Sequence, residues 1–267
     1  MIKVNGSVIP YSTFPNGELN FKKIEEFVED TTYDELNITF KYETDADLFH
    51  LLLISRSAAF RQNNLLNLDI AYMPYSRMDR GGYSSSNCSL RTVGELIKAM
   101  EFDSIKVCDP HSDLTLAYLG TNATAYYPFK SWEFDSKTVI MFPDSGAQKR
   151  YAGMSCFSHN EQIVGNKVRD FKTGKIVSYE VSNGKIVADR AIMIVDDLCS
   201  YGGTFKFAGD ELKKFNPKRI DLMVSHCEES ITKGKLFDDD SPIEYVWTTN
   251  SIIEQGTNPK LHIERIF

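Results

Sequence analysis

Short apolar runs alternate along this chain with stretches whose apolar positions recur at helical spacing. The clearest runs are LDIAYM (68–73), SIKVCD (104–109), TVIMF (138–142), AIMIV (191–195) and RIDLMVSH (219–226), and each predicts a strand. Between them, TVGELIKAM (92–100) and FKFAGDELKKF (205–215) predict helices with one apolar face. DADLFHLLLISRSAAF (45–60) is apolar enough to predict a helix buried on more than one side. Strands alternating with helices predict an α/β protein with parallel sheets. Pro110 and Pro143 fall just past strand ends, where a missing N–H costs least. Residues 165–190 break the rhythm: they are polar, carry K-T-G and S-N-G turn signals, and read as a basic loop followed by a β-hairpin. A seam near 128–137 divides two α/β halves.

The most informative stretch is AIMIVDDLCSYGGTF (191–205). Asp196 and Asp197 follow the apolar run, and Gly202, Gly203 and Thr204 form a turn into a helical pattern. Backbone N–H groups at a helix start hold phosphate. A pair of carboxylates accepts hydrogen bonds from sugar hydroxyls or reaches a metal through water. The pattern therefore suits a phosphorylated sugar. No Gly-Lys-Ser/Thr follows, so this is not the Walker phosphate loop.

Composition narrows the field. A chain of 267 residues accommodates two modest domains, and a net charge of -7 argues against a general nucleic-acid binder. No apolar run approaches the ~18 residues that span a bilayer, and the N-terminus lacks the pattern of a secretory signal. Five cysteines without C-x-x-C pairing fit a reducing cytoplasm. Cys156 and His159 have metal-ligand spacing but no second pair nearby, and read as structural.

Charged residues cluster after four of the strands. They are Arg77, Asp79 and Arg80; Asp109 and His111; Asp144, Lys149 and Arg150; and the acid pair. Ligands of open parallel sheets bind at such ends, so the four clusters predict a shared site. Six segments then resemble, in order, the motifs of the ribose-phosphate pyrophosphokinases, or phosphoribosyl pyrophosphate (PRPP) synthetases. FPNGE (14–18) resembles their F-S-D-G-E, MPYSRMDR (73–80) their I-P-Y-x-x-R-Q-D-R, and DPHSD (109–113) their D-L-H-S. PDSGAQKR (143–150) resembles P-D-x-G-x-x-K-R, NKVRD (166–170) the K-x-R of a flexible loop, and VDDLCSYGGT (195–204) V-D-D-x-x-D-T-G-G-T. The likeness runs from about residue 10 to about residue 250.

The resemblance implies two phosphoribosyltransferase-like domains with parallel sheets: 1–130 on the ATP side, and 131–267 on the ribose-phosphate side with a flexible loop at 165–190. It implies transfer of the β,γ-diphosphate of ATP to the C1 hydroxyl of a ribose 5-phosphate, releasing AMP, in a homo-oligomer with shared active sites. Phe14, Asn16, Glu18, Arg77, Asp79 and His111 would bind ATP. Phe14 packs on adenine in that reading, or is a core aromatic. Asp144, Asp196, Asp197, Ser200, Tyr201, Gly202, Gly203 and Thr204 would bind the ribose phosphate. His111 and Asp144 would hold Mg2+ or its waters, and Lys167, Arg169 and His111 would be catalytic. The implied partners are ATP and the acceptor, with no nucleic acid and no membrane, in the cytoplasm.

The departures from the motifs bear on the acceptor. Asn16 replaces an acid, Met78 a glutamine, and Ser200–Tyr201 an acid and a small hydroxyl. The family's first strand and helix, and its last helix, are expected to be missing. Tyr201 can donate its own hydrogen bond, stack on a base, or fill space. Some bacteriophage relatives of this family act on ADP-ribose in rebuilding NAD, so ribose 5-phosphate and ADP-ribose both stand as acceptors. A PRPP-consuming phosphoribosyltransferase shares the acid-pair loop but has no need of the three ATP-side segments. A non-catalytic regulatory relative typically loses the loop cations, and Lys167 and Arg169 are present.

Overall fold

The structure is a computed structural model that describes residues 1–10, 12–20, 35–57, 60, 65–79, 88–132, 134–169, 176–256 and 258–267. It divides into two compact units, 1–126 and 127–266.

In the first unit, alternating burial makes strands. Glu35–Phe40 (β5) buries Leu36, Ile38 and Phe40, and Leu65–Ile70 (β6) buries Leu66, Leu68 and Ile70. With Ser104–Cys108 (β7) and Ala123–Tyr126 (β8) they form a parallel run. Ile2–Val4 (β1) pairs antiparallel to β5, and Ser7–Val8 (β2) to β1, completing a six-stranded sheet. Ser12–Thr13 (β3) and Leu19–Asn20 (β4) form a separate small hairpin. β6 starts three residues before the predicted run and ends at Ile70; Ala71–Met73 already belong to the loop that follows.

Helix α1 (Asp45–Arg56) is held at its start by Asp47, whose Oδ2 accepts from the Thr44 amide at 2.9 Å. It buries Leu48, Leu51 and Ile54 but leaves Phe49 exposed. The expectation of burial on more than one side is therefore corrected: its apolar residues outnumber those the core can take. Helix α2 (Ser89–Lys98) buries Leu90, Val93 and Ile97, one stripe at helical spacing. Helix α3 (Leu114–Leu119) buries Leu119.

In the second unit, Val139–Phe142 (β9), Gln162–Arg169 (β10), Ile176–Val181 (β11), Ala191–Cys199 (β12), Arg219–Cys227 (β13), Val246–Thr249 (β14) and Leu261–Glu264 (β15) form a seven-stranded sheet. Its order is β11-β10-β9-β12-β13-β14-β15, and only β11 runs antiparallel to its neighbour. β9 is buried throughout and β13 almost so, as expected of strands covered on both faces. On one face Ile192, Ile194, Leu222 and Val224 pack in a core with Phe205, Ala208 and Leu212 of helix α5 (Gly203–Lys213). On the other, Ile140, Phe142, Val195 and Met223 pack with Ala147 and Tyr151 of helix α4 (Ser145–Tyr151) and with Phe129 and Phe157. Among the described residues, no helix is long and apolar enough to cross a membrane.

Candidate functional site

β12 runs four residues past the predicted 191–195, so Asp196 and Asp197 lie within the strand rather than beyond it. The reason is pairing: β12 keeps register with β13 as far as Cys199 opposite Cys227. Ladder bonds outweigh the low strand propensity of aspartate here. β9 lies on the other side of β12, with Met141 opposite Ile194. The helix that follows β9 therefore starts beside the acids. Asp144 caps α4 by accepting from the Ala147 amide at 3.0 Å. Near the end of α4, Arg150 turns back to the acid pair. Its Nη2 donates to Asp196 Oδ1 at 2.8 Å and to Asp197 Oδ1 at 2.6 Å. Its guanidinium carbon also lies 5.3 Å from the centre of the Tyr151 ring.

Two carboxylates thus share one guanidinium, and a third, Asp144, is near enough for its charge to act on Asp196. Burial pushes the Asp196 carboxyl well above the usual range; the charge of Asp197 adds to this, Arg150 opposes it, and Asp144 adds a smaller push. Tyr179, from β11, is buried near these acids and donates to the Pro143 carbonyl at 2.8 Å. Burial, with Asp144 and Asp196 nearby, raises its phenol. The residues that sequence reasoning underused are Arg150 and Tyr179. Arg150 stood in the quoted motif, but its partner became visible only when β9 and β12 proved to be neighbours.

Past β12 the chain turns sharply. Gly202 caps α5 with a left-handed φ of 78°, and a side chain there would collide with Leu236. The amides of Phe205 and Lys206 donate to the Gly202 carbonyl at 3.1 and 3.0 Å. Gly203 and Thr204 begin the helix, whose first amides lack intrahelical acceptors and can meet an anion. Ser200 Oγ is 3.0 Å from Ser230 Oγ, which donates to Glu228 Oε2 at 3.2 Å. Where the resembled motif has an acid, this chain has a hydroxyl linked through Ser230 to a carboxylate on another segment. Tyr201 is 59% exposed. The alternative that it only fills core space is thereby removed.

Lys167 and Arg169 lie in the last three residues of β10, not in a loop. Their backbones pair with Tyr179 and Ile176 across an antiparallel hairpin, with a bulge between Val168 and Arg169. The hairpin spans 162–181, and its turn, with K-T-G and Asp170, lies outside the described residues. S-N-G instead ends β11.

The first unit carries the other candidates. Phe14, Asn16, Gly17 and Glu18 form the turn between β3 and β4. The Phe14 amide donates to the Glu18 carbonyl at 2.7 Å, and Asn16 Oδ1 accepts from the Glu18 amide at 3.2 Å. Phe14 is 50% exposed, so it is not a core aromatic. The amide that replaces the motif's acid serves its own turn. Arg77 and Asp79 follow β6, and His111 follows β7, the neighbouring parallel strand. Arg77 is exposed, His111 is half-buried, and Arg80 lies outside the described residues.

His111 and Asp144 belong to different units, and each is placed here only within its own. Among the described residues, no three His, Cys, Asp or Glu side chains form a direct metal cage. The donors around the acid pair are nonetheless hard carboxylate oxygens. Magnesium bound mainly through water and substrate phosphate fits such a sparse set.

The second unit is thereby a phosphoribosyltransferase-type α/β domain, and residues 144–260 match the phosphoribosyl transferase domain family. The chain as a whole is a homologue of the ribose-phosphate pyrophosphokinases. It is 24% identical over 252 residues to the ribose-phosphate pyrophosphokinase of Sulfurisphaera tokodaii, covering 91% of this chain and 84% of that protein. It is 28% identical over 227 residues to that of Pyrococcus furiosus, covering 80% and 75%. Its fold is similar to the crystal structure of phosphoribosylpyrophosphate synthetase from Mycobacterium smegmatis, with a TM-score of 0.69, 19% identity, and coverage of 96% of this chain and 85% of that one.

Proposed function

We propose that this protein is an ATP:ribose-phosphate diphosphokinase. The C1 hydroxyl oxygen of the acceptor attacks the β-phosphorus of ATP, the bond from that phosphorus to the α,β-bridging oxygen breaks, and AMP leaves with that oxygen. The proton of the hydroxyl passes to solvent or to a group at the site. The observation that carries the reading is the acid pair beside the glycine turn, with Arg150 bridging both carboxylates. Asp196 and Asp197 accept from the 2- and 3-hydroxyls of the ribose, and the start of α5 takes the 5-phosphate. Sugar hydroxyls would then add to the hydrogen bonds that Arg150 makes to the two carboxylates.

Phosphoryl transfer asks for positioning and charge neutralisation more than for covalent help. Lys167 and Arg169 stabilise the transferring diphosphate. Arg77 and Asp79 orient ATP, Phe14 packs on adenine, and Asn16 and Glu18 sit beside it. His111 and Asp144 would hold Mg2+, which when bound offsets phosphate charge. The protein works as a cytoplasmic homo-oligomer in which the Phe14–Glu18 turn reaches a neighbour's site.

The exposed ring of Tyr201 favours ADP-ribose as an acceptor beside ribose 5-phosphate, because an adenosine 5′-diphosphate offers it a base or ribose to pack on. That reaction would give ADP-ribose pyrophosphate and serve the rebuilding of NAD. The test is AMP formation from ATP with each acceptor. A PRPP-consuming transferase would instead turn over PRPP and a nucleophile without ATP, and a non-catalytic relative would do neither.

A further inference from the structure

At the opposite, amino-terminal end of the same strands lies a feature that the proposed reaction does not use. Residues 191–193 open β12 and Arg219 and Asp221 open β13; both stretches border a cavity of about 800 Å³. That size suits a small-molecule site. Asp144, Arg150, Asp196 and Asp197 do not line it.

Its walls are aromatic: Trp132, Phe134, Trp247 and His262. His262 stacks on Trp247 with centroids 4.2 Å apart and planes 16° apart. Trp132 meets Trp247 edge-on at 6.3 Å, and its Nε1 donates to Glu264 Oε2 at 2.5 Å. These partners hold the rings in place.

Asp221 also lines the cavity. It sits opposite Met193 in an otherwise buried stretch of β13, and its side chain is 3% exposed. Oδ2 pairs with Arg219 Nε at 2.9 Å. Oδ1 is buried and has no hydrogen-bond partner among the described residues. A buried carboxylate oxygen left without a donor is costly, and such a group calls for an explanation. Burial raises this carboxyl, while Arg219 and the nearby Tyr245 backbone amide hold it down, although that amide does not reach hydrogen-bonding geometry with Oδ1.

We propose that this cavity is a second ligand site for a flat aromatic nitrogen heterocycle bearing an N–H donor, of which nucleobases are the common biological form. The ring stacks among the indoles, and a rotation of the Asp221 side chain toward the cavity lets the ring's N–H complete Oδ1. Arg219, half-exposed at the strand start, faces any anionic substituent. Stacking alone would accept any flat ring; the buried acceptor adds the demand for a donor.

The protein carries two tryptophans, and both line this cavity, so intrinsic fluorescence reports it directly. Full-length protein is titrated with adenosine, guanosine and N6,N6-dimethyladenosine, which lacks the exocyclic donor. The expected result is saturable quenching by adenosine or guanosine. Binding by the dimethyl analogue should be at least about 10-fold weaker than that of adenosine, as should adenosine binding to Asp221→Asn, the loss expected for one hydrogen bond to a charged group. Trp247→Leu, read through Trp132, should lose binding with Asp221 intact, which guards against misfolding of the Asp221 variant. Absence of saturable quenching, equal affinity for the two adenosines, or unchanged binding in Trp247→Leu would overturn the proposal. So would a signal that follows protein concentration alone, which would mean that a second copy covers the cavity.

Discussion

Arg150 is the counter-charge of two nearly buried carboxylates, and its removal has a calculable signature. In Arg150→Met the flexible stem is kept and the guanidinium lost, leaving Asp196 and Asp197 facing each other with side chains 14% and 5% exposed. Breaking a buried pair by deleting one partner costs roughly 3–5 kcal/mol. The site's edge is open to water, which argues for the lower figure, about 3 kcal/mol. The sign with pH follows from the raised Asp196 carboxyl. A carboxyl raised in the folded state contributes most stability below its unfolded pKa, and that contribution is lost as pH rises through the folded value. Arg150 opposes the rise, so deleting it lifts the folded value further and deepens the loss at neutral pH. Urea unfolding followed by tryptophan fluorescence reads this unit, because Trp132 and Trp247 both lie in it. The difference between wild type and variant should be about 3 kcal/mol near pH 7.5 and should shrink toward about 1 kcal/mol near pH 5, where protonation relieves the repulsion. Asp196→Asn in the Arg150→Met background should restore much of the loss at neutral pH. An equal difference at both pH values would refute the electrostatic argument and leave only lost packing against Tyr151.

Lys167→Ala or Arg169→Ala should lower kcat by about 100-fold or more with a smaller change in ATP affinity, measured by steady-state kinetics and equilibrium binding; unchanged turnover in Lys167→Ala removes its assigned role. Gly202→Ala meets both a left-handed backbone and the Leu236 side chain, so the variant should lower the melting temperature and raise the acceptor KM; normal values for both would show that the turn tolerates a Cβ. Tyr201→Thr should shift kcat/KM from ADP-ribose toward ribose 5-phosphate by about 10-fold or more, the worth of one charge-assisted hydrogen bond. An unchanged ratio means that the phenol does not select the acceptor.

Much of the architecture is legible from local pattern. Short apolar runs such as VIMF and AIMIV, bounded by turn residues, read as buried strands; the first is covered on both sides, the second leaves Ala191 and Met193 half-buried, and α2 and α5 show their buried stripes directly. Three features resisted. The strand at 191–199 continues through two acids because pairing with β13 compensates for them, and nothing local signals that. The hairpin containing Lys167 and Arg169 has a polar, turn-rich composition that reads as loop; its order comes from cross-strand pairing. β5 and β1 pair across a long stretch of chain, so their assignment depends on contacts invisible to a short window. The site divides in the same way. The acid pair and the glycine turn announce themselves by type and spacing. Arg150 reaches the acids only through the adjacency of β9 and β12, and Glu228 reaches Ser200 only through Ser230.

Diphosphate transfer from ATP at the Asp196–Asp197 site is open to direct chemical test. The most direct measurement is a product assay: purified protein with magnesium and ATP, with ribose 5-phosphate or ADP-ribose in parallel, resolved by phosphorus NMR or chromatography. AMP should form in equal amount to a new C1-pyrophosphorylated sugar with at least one acceptor, and be lost when magnesium is chelated and in Asp197→Asn. ATP left intact with both acceptors, alongside turnover of PRPP and a nucleobase without ATP, would contradict it.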